Sequence, residues 1–265
     1  MSDITVNYKG SAITTMDASG TKTLLTEGKY CEDDIEIVYV QPSGGGGSVA
    51  DVLLGDFPSG AVSFKATKNV PASGVAGRGK ITSLTIDLTD DKTLSGYSIR
   101  SNGGTFSRLI LLNASSYDTP LASVRHASYA ITDNSALTQV IIRGLSRAFN
   151  TSGVRANTAL QVVDIEGMTH PNGVAAIASS MFYGDTNFNV LILRATGAVI
   201  PLDNINAFTN SKFASGKGGG TLYVPNSMIS SYQQASNWST LLGYATNSIV
   251  KLEDSPYESL TWYES

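Results

Sequence analysis

The chain has 265 residues, long enough for one large domain or two modest ones with a real core. Hydrophobic residues make up 42% and charged residues only 15%, with 26 glycines; this excludes disorder and long solvated helices and suits many short strands joined by turns. A net charge of −4 with no basic run leaves out the Lys/Arg footprint of a nucleic-acid binder.

The first residues, MSDITVNYKG, carry neither a basic n-region nor an apolar h-region, so no secretory signal is expected there. Apolar runs are only a few residues long, far short of a membrane span, and no membrane insertion is expected. Within residues 1–40, Ile4, Val6 and Tyr8 alternate with polar neighbours, as do Ile35, Ile37 and Tyr39. Period-two alternation marks strands with one buried face, and the stretch reads as a small N-terminal β docking module. Cys31 is the single cysteine and cannot form an intrachain disulfide; it reads as a half-buried strand thiol, compatible with a reducing cytosol. Residues 41–60 form a glycine-rich linker and bridge. The run Gln41–Ser48, holding Gly44, Gly45, Gly46 and Gly47, is a flexible tether, native or engineered, and no Lys-Ser/Thr follows to make it a phosphate loop.

Residues 61–253 carry a repeat, Φ-x-x-Φ-x-Φ with Φ apolar. It reads Ile81-Leu84-Ile86, Phe106-Leu109-Leu111, Leu137-Val140-Ile142, Leu160-Val163-Ile165 and Phe188-Leu191-Leu193, with a degenerate sixth copy at Gly219-Leu222-Val224. The period varies, from 23 residues between Val140 and Val163 to 31 between Leu109 and Val140. Residues i and i+2 of a strand share a face, and one such unit cannot bury that face alone; stacked units make a parallel ladder over a continuous core. Tyr129, Phe149, Phe182 and Phe208 recur just ahead of several units and are expected to fill the convex side of that core. After Pro225-Asn226-Ser227, the apolar positions Met228, Ile229, Tyr232, Ala235, Leu241 and Leu242 predict a short amphipathic helix. The strand Ile249-Val250-Lys251-Leu252 follows, and together these read as a terminal cap. Residues 254–265 form an aromatic tail. The fold class expected is mainly β with short helices: an irregular leucine-rich-repeat solenoid with a C-terminal helical cap, preceded by the small N-terminal β module.

The segments Asn134-Ser135-Ala136-Leu137-Thr138-Gln139-Val140, Asn206-Ala207-Phe208-Thr209-Asn210, Leu222-Tyr223-Val224-Pro225 and Tyr232 with Asn237-Trp238 resemble BspA-like leucine-rich repeats. The stretch from Lys22 to Ile37, with Asp51–Gly60, is similar to small modules that open virion-associated proteins of phages and prophages. These resemblances imply a tail, baseplate or head-fibre component made in the host cytoplasm and located in the virion, with no enzymatic activity and no cofactor. Its partners would be other virion proteins, through residues 1–40, and a host cell-surface protein or glycan. A bacterial cell-surface adhesin of the same repeat family is the alternative.

No catalytic, cofactor-binding or metal-binding residue is expected. His126 and His170 stand alone, without metal-ligand spacing, and no Gly-x-Ser-x-Gly motif occurs. The Gly216-Lys217-Gly218 stretch reads as a loop before the last ladder strand, because Gly218 replaces the Ser/Thr that a phosphate loop requires. The candidate site is instead the outward face of the ladder. Ile110, Leu112, Ile141, Val162, Val190, Ile192 and Tyr223 are apolar where a solvated face would be polar, and Arg143, Glu166 and Arg194 line the rim as alternating charges. Such a face should be covered. Either identical chains in a closed homo-oligomer cover it, a trimer on the fibre resemblance, or a segment of the same chain does so, such as 88–105 or the aromatic tail.

Overall fold

A computed structural model describes residues 6–8, 11–13, 15–16, 22–23, 29–32, 35–38, 57–65, 70, 72, 75–76, 79–88, 93–100, 106–112, 127–144, 149–166 and 177–264, and before Ile81 the side chains of only Ala61, Val70 and Ala72. The tether Gln41–Ser48, the two histidines, and residues 89–92 and 101–105 lie outside the described residues.

The protein is mainly β, with parallel sheets and a few short helices. Two small antiparallel hairpins come first, β1 (Val6–Tyr8) with β2 (Ser11–Ile13) and β3 (Thr15–Met16) with β4 (Lys22–Thr23). The antiparallel pair β5 (Lys29–Glu32) and β6 (Ile35–Val38) then joins one edge of a ten-stranded sheet, β6 meeting β7 (Phe57–Lys65) at Glu36 and Lys65. Thus β7 begins inside the stretch read as a bridge, and β6 pairs with the ladder at Glu36.

From β7 onward the large sheet is parallel: β9 (Gly79–Asp87), β11 (Arg108–Leu112), β13 (Gln139–Ile142), β15 (Val162–Ile165), β16 (Val190–Leu193), β17 (Thr221–Val224) and β18 (Ser248–Lys251). The middle apolar stations fall in one register row, Leu84, Leu109, Val140, Val163, Leu191, Leu222 and Ile249. Every apolar station of the five complete Φ-x-x-Φ-x-Φ units is buried, as the sharing of one face by residues i and i+2 requires. Each such side chain contributes about 1.5–3 kcal/mol when fully withdrawn from water, so the row is the main cohesive element of the fold.

Between ladder strands the chain crosses to a second parallel sheet, ordered β14 (Val154–Arg155), β12 (Ile131–Thr132), β10 (Ile99–Arg100), β8 (Val75–Ala76). Ile99, Ile131 and Val154 point into the same core as the ladder stations. Entry and exit from this sheet use left-handed backbone at matching positions: Tyr97, Tyr129, Ser152 and Ser180 before it, Asp133, Ala156, Gly184 and Asn210 after it. A non-glycine residue at φ > 0 carries an intrinsic cost of about 1–2 kcal/mol, which the surrounding packing has to offset.

A buried polar column runs beside the second corner. The Asn157 Oδ1 accepts from the Asn134 backbone N–H (3.2 Å) and from its Nδ2 (2.8 Å), and the Asp185 Oδ1 accepts from the Asn157 backbone N–H (2.6 Å) and its Nδ2 (3.3 Å). Asn134 Nδ2 also donates to the Ile99 carbonyl and Asn157 Nδ2 to the Ile131 carbonyl, one pass earlier in each case. Desolvation by burial holds the Asp185 carboxyl well above the usual carboxylate range, against the lowering effect of its Asn157 hydrogen bonds and of Arg155.

The C-terminal segment departs from a single helix. A 3-10 turn at Asn226–Met228 leads into α1 (Ile229–Gln234), the chain turns extended at Ala235, and α2 (Trp238–Leu242) follows. The break comes at Asn237, which is left-handed and donates from Nδ2 to the Leu202 and Asp203 carbonyls. Tyr232 and Trp238 are buried, the Tyr232 hydroxyl accepting from the Ile200 N–H and Trp238 Nε1 donating to the Ile200 carbonyl.

Candidate functional site

The outward face of the ladder gathers most of the residues singled out from the sequence. Ile141, Asp164 and Ile192 share one register row, so a carboxylate lies between two isoleucines. All three are fully buried. A buried carboxylate without donors would be costly, and four donors reach this one. Asp164 Oδ1 accepts from Arg194 Nε (2.8 Å), and Oδ2 accepts from Arg143 Nη2 (2.9 Å), Arg194 Nη2 (2.9 Å) and Trp262 Nε1 (2.6 Å). Arg143 and Arg194 thus turn onto Asp164 instead of pairing only along their own row; Arg143 Nε stays at 3.9 Å from Glu166, whose side chain is largely exposed.

The outer N–H groups of the two arginines hold the aromatic tail. Arg194 donates to the carbonyls of Tyr257, Glu258 and Ser259, and Arg143 to that of Leu260. Four consecutive peptide carbonyls are therefore gripped by two guanidinium forks that one carboxylate orients. Ring contacts complete the docking. Tyr257 meets Tyr223 edge-on at 5.0 Å and Trp262 at 5.0 Å, while Tyr263 lies over Arg108 and Arg143. Val162, Ile192 and Leu252 form a small apolar cluster with Val190, Tyr223, Tyr257 and Trp262 packed on it. Burial, aided by Tyr223, pushes the Tyr257 hydroxyl above its ordinary value. The face is thus covered by the chain's own tail from β17 across to the Arg108 end of β11, where Ile110 and Leu112 are half-buried.

The segment 253–264 holds its shape by local bonds: Ser255 and Ser259 hydroxyls accept from the N–H groups two residues on, and Lys251 pairs with Asp254, each raising or lowering the other's titration in the usual ion-pair direction.

The second sheet carries an exposed feature that the sequence reading did not reach. Tyr129, expected in the core, is half-exposed, and its ring stacks on Tyr97 at 5.4 Å and 2° between planes. Where the next pass has Ser152 in place of a tyrosine, the Arg155 guanidinium fills the gap, 5.1 Å from the Tyr129 ring and 4.9 Å from the Tyr183 ring. Tyr97, Tyr129, Arg155 and Tyr183 make one continuous stack of flat groups, with Arg100 over Tyr97 and paired to Asp133 at 3.1 Å. Tyr97 and Tyr129 stand two residues before the paired Ile99 and Ile131, whereas Arg155 follows Val154 in the row of Arg100 and Thr132, so no single repeat position announced the stack. Phe149, Phe182 and Phe208 are buried, as expected.

Among the described residues no three His, Cys, Asp or Glu side chains gather as metal ligands, and no helix is long and apolar enough to cross a membrane. Donors are fixed toward peptide carbonyls on the ladder face, and a planar aromatic–guanidinium stack lies at the second sheet. No family model, no curated protein and no solved structure matches this chain.

Proposed function

We propose that the chain is a non-enzymatic binding protein built as an irregular leucine-rich-repeat solenoid, with α1, α2 and β18 as its cap, and that it serves as a virion-associated attachment or fibre-type component of a phage or prophage. One observation carries the architectural half: the apolar stations of successive repeats pair in register, from Leu84 to Leu222. A stack of this kind grows a long surface from small units, which suits contact with another macromolecule better than enclosure of a small substrate. The virion half rests on the likeness of Lys22–Ile37 and Asp51–Gly60 to opening modules of phage structural proteins. In this reading residues 1–40 meet other virion proteins, and the Tyr97–Tyr129–Arg155–Tyr183 stack contacts the host surface protein or glycan. Density-gradient-purified particles should yield peptides of this chain by mass spectrometry, in constant ratio to the major structural proteins. Their absence from particles, with recovery from the exterior of intact bacteria, would transfer the reading to a cell-surface adhesin.

A further inference from the structure

We infer that the outward ladder face is a peptide-binding site, that residues 254–264 are its ligand, and that a second copy of this chain can supply that ligand in trans. The inference stands apart from the virion reading and rests on three observations.

The first is the kind of contact. The hydrogen bonds that hold the tail run from Arg143 and Arg194 to four successive backbone carbonyls, and from Trp262 to Asp164. None of them belongs to the strand pairing of the ladder, which runs from β7 to β18 through main-chain bonds of its own. Site and ligand are therefore two units joined by a connection, rather than one interleaved core. A turn-rich segment ending in a 3-10 turn at Trp262–Glu264, its backbone carbonyls gripped by oriented donors and its aromatic side chains seated at Tyr223 and Asp164, offers main chain and side-chain anchors together, as peptide ligands do.

The second is the connection. Beyond β18 the chain passes Glu253, Asp254 and Pro256, all exposed, and Asp254 takes a left-handed φ of 65°. A short exposed turn with one constrained residue is where an element can open and re-dock on a neighbour at small cost.

The third is where a second copy would approach. β18 is the terminal strand of the large sheet, its residues mostly exposed, with Val250 presenting an apolar side chain. The tail leaves from this open edge, so a neighbour brought to the edge has both sites within reach of both tails. Reciprocal exchange keeps every tail contact. It becomes favourable where the concentration of copies approaches the effective concentration of a short tether, on the order of millimolar.

The test uses a fluorescein-labelled synthetic peptide of residues 254–264, titrated by anisotropy against the full chain and against the full chain carrying Trp262→Ala. The variant weakens the resident tail and leaves the face intact, so the peptide should bind it at least about ten-fold more tightly than it binds the unmodified chain. A peptide that itself carries Trp262→Ala should lose about as much. A full chain with Arg194→Ala should lose the peptide. Should Trp262→Ala misfold by circular dichroism, Tyr257→Ala provides the second weakened tail. Light scattering of the unmodified chain should show its mass rise toward twice the monomer as concentration rises. Absence of saturable binding to either chain overturns the site; a chain that stays monomeric into the millimolar range overturns exchange between copies.

Discussion

Replacing Asp185 by Asn should stabilise the protein wherever the carboxyl is ionised. Asn134 and Asn157 each send Nδ2 to the carbonyl of the second-sheet residue one pass earlier, Ile99 and Ile131. Since Ile99, Ile131 and Val154 share one register row, the equivalent acceptor for position 185 is the Val154 carbonyl. Asp185 has no hydrogen to give when ionised, and its buried Oδ2 has no partner. An unsatisfied buried polar atom costs about 1–3 kcal/mol, and an Asn Nδ2 at that place turns the deficit into a hydrogen bond. The expected gain is therefore about 1–3 kcal/mol at pH above the raised titration, where the carboxyl is ionised. The pH dependence has a definite sign. Burial raises the Asp185 carboxyl above its ordinary 3.8, so the folded state holds a proton that the unfolded chain releases. The contribution of that proton is complete below pH 3.8 and is lost as pH rises through the raised value. The Asn chain lacks this loss, and its advantage should shrink toward about pH 4, where the carboxylic acid can itself donate. Urea unfolding followed by circular dichroism at about pH 4 and on the alkaline side of the raised titration measures both numbers. A gain of equal size at both, or a loss on the alkaline side, would refute the assignment of Asp185 as the column's misfit.

Val163→Asp places a charge in the middle of the register row and should abolish the β signal at ambient temperature, since an unpaired buried charge costs several kcal/mol; retention of a cooperative melt would show that the row is not the cohesive element. Tyr232→Phe removes the acceptor of the Ile200 N–H and should cost about 1–3 kcal/mol in urea unfolding. Burial pushes the Tyr232 hydroxyl from 10.0 up to about 12, so its stabilisation is full below pH 10.0 and lost as pH rises through 12; the Phe chain should show a shallower alkaline decline over that window.

The ladder was legible because burial is written in residue type at fixed offsets: Leu84, Leu109, Val140, Val163 and Leu191 each stand three residues after one apolar station and two before the next. The second sheet was not, since two-residue strands such as Ile131–Thr132 are too short to carry an alternation. The polar column had a signal that went unread. Asn134, Asn157 and Asp185 each precede the first apolar station, Leu137, Leu160 and Phe188, by three residues, but polar residues between strands read as turns. On the outward face, the apolar and charged residues were found, and the aromatic tail was named beside identical chains and residues 88–105 as a possible cover, with nothing to choose among them. Asp164 meets Trp262 across 98 residues, and nothing local in either segment announces the other. The rim charges converge on Asp164 because a carboxylate between Ile141 and Ile192 has no water to turn to. The C-terminal apolar spacing suggested one helix because Tyr232, Ala235 and Leu241 remain compatible with a helical period; the Asn237 side chain, bonded to the Leu202 and Asp203 carbonyls, decides the break.

The chain has two tryptophans, and the fold puts them in unlike surroundings. Trp238 is fully buried beside Tyr232 and Phe208, while Trp262 sits half-exposed with its indole N–H on the Asp164 carboxylate. An indole in an apolar shell emits at shorter wavelength than one against charge and solvent, so intrinsic fluorescence contains two separable components. The long-wavelength one follows the seating of residues 254–264, and the short-wavelength one follows the integrity of the core at α1 and α2. A heating curve read at two wavelengths thus distinguishes a protein whose tail has let go from one that has melted, with no label attached.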